Sequence, residues 1–158
     1  TGIGERAGNA PYADIALALL TMYGVDTGLK YDKMYELSEM MRNFCGHTIP
    51  SNRGIVGPTL ADIESGIVAD WWLNANDEHP LEVSPYLYSL VGHPDAKVVI
   101  GKNSGIPTVD IYLDQLGMSC DNKDQKLEMV SKIKEKSFEK MGLLTVGEFE
   151  EIAHKVLD

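Results

Sequence analysis

Apolar residues recur at three- and four-residue intervals along most of the chain, and this period predicts amphipathic helices. Over 10–22 the stripe is Ile15, Leu19 and Met22, with Leu20 beside it. Asn9 is expected to cap that helix, Pro11 suits its first turn, and Gly24 offers a stop. Over 31–45 the apolar face is Met34, Leu37, Met41, Phe44 and Cys45. Asp32, Lys33, Glu36, Glu39 and Arg42 lie largely off it, and Gly46 breaks the helix. A third stripe, Leu60, Ile63, Ile67 and Trp71, predicts a helix starting at Thr59. That helix would hold Gly66 in its interior, at a cost of about 1 kcal/mol relative to alanine. The cost is worth bearing only where backbone or ligand approaches closely, or where the helix bends. The Trp71-Trp72 pair is expected to split, with one ring in the core.

Pro107 starts a further helix over Val109, Tyr112, Leu113 and Leu116, ended by Gly117. Asp121 is read as the cap of a long helix reaching about Met141. Its apolar face is Leu127, Val130, Ile133, Phe138 and Met141. Thr145 and Glu148 have the spacing of a capping box for the last helix, which keeps its period through Phe149, Ile152, Ala153 and Val156. Between these stretches, 47–58 reads as an irregular connection and 74–80 as a polar linker. Residues 85–92 read as a short helix or turn. Ala96 to Ile100 is the one convincing strand, with Val98-Val99-Ile100 closed by Gly101. The expected class is therefore mainly α with one or two short strands.

Composition narrows the partners. A formal charge of -10 over 158 residues, with no basic stripe, argues against a nucleic-acid track. No apolar run has membrane-spanning length, and no signal-peptide pattern opens the chain. The two cysteines, Cys45 and Cys120, lack a CxxC partner and are expected to be unpaired thiols in a reducing cytoplasm.

The chemistry concentrates in loops. Gly4-Glu5-Arg6-Ala7-Gly8-Asn9 opens the chain and has two readings. In one, the glycines make a tight turn, Glu5 and Arg6 form a surface ion pair, and Asn9 caps the next helix. In the other, Gly8 lets backbone approach a ligand, Glu5 accepts hydrogen bonds, and Asn9 offers a neutral oxygen to a hard divalent ion. Gly101-Lys102-Asn103-Ser104-Gly105 follows the strand and precedes a helix. Lys102 there suits a phosphate or carboxylate, although the full P-loop pattern is missing and a plain turn is the alternative. The four histidines, His47, His79, His93 and His154, form no HxH or HExxH pattern and read as structural or solvent-facing. Tyr86 and Tyr88 offer hydroxyls to a site, or simply pack.

Gly2-Ile3-Gly4-Glu5-Arg6-Ala7-Gly8-Asn9-Ala10 resembles the signature of the isopropylmalate, homocitrate and citramalate synthases, a metal-dependent barrel family that includes hydroxymethylglutaryl-CoA lyase. Further motifs follow in order: Thr27-Gly28 before the helix with Tyr35, then Asn52, Gly57, Glu64-Ser65-Gly66-Ile67, and Val99-Ile100-Gly101-Lys102-Asn103-Ser104-Gly105. The resemblance covers about residues 1–117. It implies that 1–24 are the last βα segment of a (β/α)₈ barrel and that 25–158 are helical linker subdomains. By the same resemblance Asn9 lies at a divalent metal (Mg, Mn or Zn) and Glu5 and Arg6 organise the substrate end. From the loops themselves, Gly8, Lys102 and Ser104 are taken as the cofactor-binding candidates, and Tyr86 and Tyr88 join Glu5 and Arg6 as catalytic candidates, with an acyl-CoA as the expected substrate. The remaining ligands, an aspartate and an HxH pair, would lie in a barrel region N-terminal to Thr1, so the chain alone is expected to be inactive. The implied reaction joins an acyl-CoA enolate to a 2-oxo acid in a homodimeric parent. The chain departs from the family at Ile63, Val68 and Asn103, where HESGIH and GKHSG carry imidazoles. Those departures keep open a lyase or aldolase, and a noncatalytic helical module.

Overall fold

The computed structural model describes residues 1–75 and 78–158. Asn76 and Asp77, within the expected polar linker, lie outside the described residues. The chain divides into two compact units, one of Thr1–Ala61 with Tyr86–Ala96 and one of Asp62–Pro85 with Lys97–Asp158. Both are mainly helical, and the described residues contain one two-stranded parallel sheet. No described helix is long and apolar enough to cross a membrane.

The first unit contains α1 (Tyr12–Tyr23), a 3₁₀ turn (Tyr31–Lys33), α2 (Met34–Cys45) and a second 3₁₀ turn (Tyr88–Val91). Gly24 closes α1 in the left-handed region, and the amides of Gly24 and Val25 return to Leu20 and Leu19. The buried stripe of α1 is Ala13, Ala16 and Leu17, not the expected Ile15, Leu19 and Met22. Ile15 and Met22 are exposed. The alanines are small, and Met34 shares their core. α2 likewise buries only Met34 and Ser38, leaving Leu37, Phe44 and Cys45 exposed. Ile49, Ile55, Val56 and Val91 complete this core. Ile55 sits at φ 67, in the left-handed region that a β-branched side chain strongly disfavours.

The second unit contains β1 (Asp62–Ile63), α3 (Gly66–Ala75), β2 (Lys97–Val98), α4 (Ile106–Gln115), α5 (Lys123–Lys140) and α6 (Val146–Leu157). β1 was not anticipated. The helix expected from Thr59 starts only at Gly66, because Asp62 and Ile63 pair with Lys97 and Val98. Gly66 is thus the first helical residue rather than an interior one. A Cβ there would stand 2.8 Å from the Gly105 Cα and 2.9 Å from its nitrogen. Close backbone approach is the reason for this glycine. Ile67 and Trp71 are exposed and Trp72 is half-buried, so neither indole is a full core residue.

Asn122, not Asp121, caps α5, its side chain accepting from the Asp124 amide. The capping box of α6 forms as expected: Thr145 Oγ1 accepts from Glu148 N, and Glu148 Oε2 accepts from Thr145 N at 2.7 Å. Ile100, Val109, Leu113, Met129, Ile133, Leu144, Phe149 and Ile152 form the core of this unit. Ile100 and Leu144 are joined as an isolated antiparallel bridge.

Candidate functional site

The opening loop folds back on itself. The Gly8 amide donates to Glu5 O and the Asn9 amide donates to Gly2 O, both at 2.9 Å. The first bond closes a turn that carries Arg6 at φ 50, a left-handed conformation uncommon for a residue other than glycine. Gly2 and Gly8 have φ 81 and 82. A Cβ on Gly8 would collide with the Gly2 carbonyl, and one on Gly4 with the Asn9 amide. Gly8 is therefore required by the packing of the loop backbone, and Gly4 leaves room for the Asn9 side chain.

Asn9 does not cap α1. The N-cap position is Pro11, with no side-chain bond, and Asn9 Nδ2 donates instead to Ile3 O at 3.3 Å. The amide is thereby oriented, and its Oδ1 has no hydrogen-bond partner among the described residues. The anticipated ion pair between Glu5 and Arg6 is absent among the described residues. Both side chains are exposed.

Asn9 lines a pocket of about 240 Å³ together with Gly2, Ile3, Met34, Ser38 and Met41. Neither Glu5, Arg6, Tyr86 nor Tyr88 lines it. Ser38 was not singled out by its position on an otherwise apolar helix face. Its hydroxyl is buried with no partner among the described residues. Tyr86 packs against the core of the first unit, and its ring meets Tyr88 edge-on at 5.8 Å between centroids. Burial pushes the Tyr86 phenol up, with Tyr88 and Asp14 adding, and a hydrogen bond with the Ile55 backbone opposes them.

No group of three or more His, Cys, Asp or Glu among the described residues could hold a metal ion. Asn9 supplies one amide oxygen, and one neutral oxygen does not make a divalent site. The residues present therefore do not assemble a metal centre by themselves.

Lys102 and Ser104 belong to the second unit. Ser104 is buried, and its Oγ accepts from the Gly101 amide at 2.9 Å, so the hydroxyl closes the 101–105 loop. Lys102 is exposed at a pocket of about 460 Å³ with Glu64, Phe138, Met141 and Leu143. Glu64 holds this loop in place. Its two oxygens accept from Asn103 N at 3.0 Å and Asn103 Nδ2 at 3.3 Å. The Gly66 amide adds a bond to Asn103 O at 3.2 Å. The 64–67 and 101–105 segments, separate motifs in the sequence, are thus one interlocked structure.

No protein-family model matches the chain. Individual relatives do. A putative (R)-citramalate synthase of Methanopyrus kandleri is 38% identical over 133 residues, 84% of this chain and 25% of the relative. A homocitrate synthase of Methanocaldococcus jannaschii is 36% identical over 156 residues, 99% of this chain and 37% of the relative. The 2-isopropylmalate synthase of the same organism is 35% identical over 136 residues, again 84% and 25%. The chain belongs to the citramalate, homocitrate and isopropylmalate synthase family. It spans between 25% and 37% of the length of these relatives. Within this family membership the described elements are helices and one short sheet, and no barrel is visible among them.

Proposed function

We propose that this chain is the region of a carbon–carbon condensing synthase that follows the last strand of its barrel, and that the complete enzyme joins an acyl-CoA to a 2-oxo acid. The observation that carries this reading is the opening loop, self-locked by its glycines with the Asn9 amide oriented and Oδ1 unpartnered. The relatives, all named as synthases of this type, support it. In the proposal Asn9 contributes one oxygen to a divalent ion whose other ligands lie outside this chain. Such an ion, when bound, polarises the oxo acid. Glu5 and Arg6 face the substrate from an exposed turn, Arg6 offering a planar fork to a carboxylate. Gly8 keeps that turn tight beside the bound substrate. Lys102 offers a cation to the anionic part of an acyl-CoA, and Ser104 fixes the loop that presents it. Tyr86 and Tyr88 are weaker candidates, since the Tyr86 phenol holds its proton more firmly than a free one. The parent is read as a cytoplasmic homodimer. The chain alone is inactive in this reading.

A second reading rests on Ile63, Val68 and Asn103. Aliphatic side chains transfer no protons, and the Asn103 amide is occupied by Glu64. A proton-moving imidazole is absent from those positions, which favours a lyase or aldolase of the same family. Both readings are tested with the protein that carries the barrel region and this chain together, supplied with a divalent ion, acetyl-CoA and a panel of 2-oxo acids. Release of free CoA supports the synthase. No release from any oxo acid, with cleavage of the hydroxyacyl product instead, selects the lyase and overturns the first reading.

A further inference from the structure

His93 is buried, and both of its ring nitrogens face carbonyl oxygens. Nδ1 lies 2.8 Å from Pro94 O and Nε2 lies 2.8 Å from Gly57 O. A carbonyl oxygen only accepts. A neutral imidazole has one N–H and one lone pair, so it can satisfy one of these contacts and must set a lone pair against the other. A doubly protonated ring donates to both.

Two aromatic rings pack against His93. The Tyr35 ring of α2 meets His93 edge-to-face at 4.5 Å between centroids, and the Tyr88 ring lies at 5.7 Å. Both tyrosines carry phenols, and the neighbouring carboxylates are Asp95, close along the chain, and Asp32, whose backbone lies against Gly92. No carboxylate or lysine forms an ion pair with it among the described residues.

The two carbonyls belong to different segments of the first unit. Gly57 ends the turn that holds Ile55 at φ 67, and a Cβ at Gly57 would collide with Arg53 and Ser51 backbone. Pro94 follows the 3₁₀ turn at Tyr88–Val91. His93 is the side chain that bridges them.

We propose that His93 is a proton-operated tie: the doubly protonated ring binds Gly57 O and Pro94 O together, and the neutral ring releases one of them. The 51–60 turn is then held more tightly on the acid side of the histidine titration and loosened on the alkaline side. The inference does not depend on the synthase reading, and the chain alone suffices to test it.

The test is nitrogen-15 NMR of the chain over a pH series from acid to alkaline. The expected result is a His93 ring with two hydrogen-bonded N–H groups at the acid end and one at the alkaline end. The amide signals of Arg53 to Leu60 should move in step with it and stay flat in His93→Gln. An unprotonated nitrogen facing a carbonyl at the acid end would overturn the proposal. So would a ring titration that leaves the turn's amide signals unmoved in the wild-type chain.

Discussion

Glu64 binds Asn103 through both of its carboxylate oxygens, one to the backbone amide and one to the side-chain amide. The pair fastens the 101–105 loop to the start of α3, where the Gly66 amide donates to the same residue's carbonyl. Hydrogen bonds to charged groups contribute about 1.5–3 kcal/mol when sheltered, and the partial exposure here places the expected loss near the low end. Glu64→Ala should therefore lower the urea midpoint of the chain. Asn103→Ala keeps one bond and should cost less. Equal stability of Glu64→Ala and wild type would remove this clamp from the account.

Gly66 and Gly147 should respond oppositely to alanine. The Gly66 Cβ would press on the Gly105 backbone, whereas a Cβ on Gly147, in the first turn of α6, meets nothing within 4 Å. Overpacking typically costs about 1–3 kcal/mol. Replacing an exposed helical glycine gains up to about 1 kcal/mol. Thermal melts of the two variants should move in opposite directions. A stabilised Gly66→Ala would contradict the close approach.

The last helix makes stability depend on acid. The Lys140 ammonium, then the Thr145 amide, hold the Glu148 carboxyl well below its ordinary value, down to about 2. Lys140 Nζ lies 2.7 Å from Glu148 Oε2. Because the folded value is depressed, the contribution is complete above the ordinary carboxylate value of 4.5 and fades as pH falls toward about 2. Glu148→Gln should flatten the stability profile over that window in acid titrations monitored by circular dichroism. Thr145→Ala should cost about 1 kcal/mol at neutral pH through the lost cap. An unchanged acid limb in Glu148→Gln would rule the assignment out.

Ser38 tests the pocket at Asn9 from the other side. Its buried hydroxyl has no partner among the described residues, and a buried unpaired polar group costs about 1–3 kcal/mol. Ser38→Ala should leave stability unchanged or raise it. A marked loss would show that the hydroxyl has a partner in solution.

Several helix ends were legible because local chemistry decides them, although Asn122 rather than Asp121 caps α5 and Pro11 rather than Asn9 stands at the N-cap of α1. The Thr145 and Glu148 spacing, Gly24, Gly46 and the Pro107 start all act within a turn of where they stand. The buried faces were less legible. Periodicity in α1 favoured its large residues, Ile15 and Met22, but packing around Met34 buries the small ones, Ala13 and Ala16. β1 escaped because two residues paired with a distant segment leave almost no alternating pattern. Gly66 carried the right warning about close approach, attached to the wrong helix start. The candidate site was legible as a motif in its glycines and Asn9. Its internal bonding was not, since Asn9 turned back to Ile3 instead of capping α1. Glu64 reaches Asn103 and His93 reaches Gly57 across more than thirty residues, which no spacing rule reports.

Asn9 as a metal ligand is the claim on which the functional account turns, and a metal-activation curve addresses it most directly. CoA release by the protein carrying both the barrel region and this chain would be followed against divalent-ion concentration, for wild type and Asn9→Ala. The account predicts that the variant needs a higher ion concentration for half-maximal activation, with a fold preserved by circular dichroism. Superimposable activation curves would contradict it.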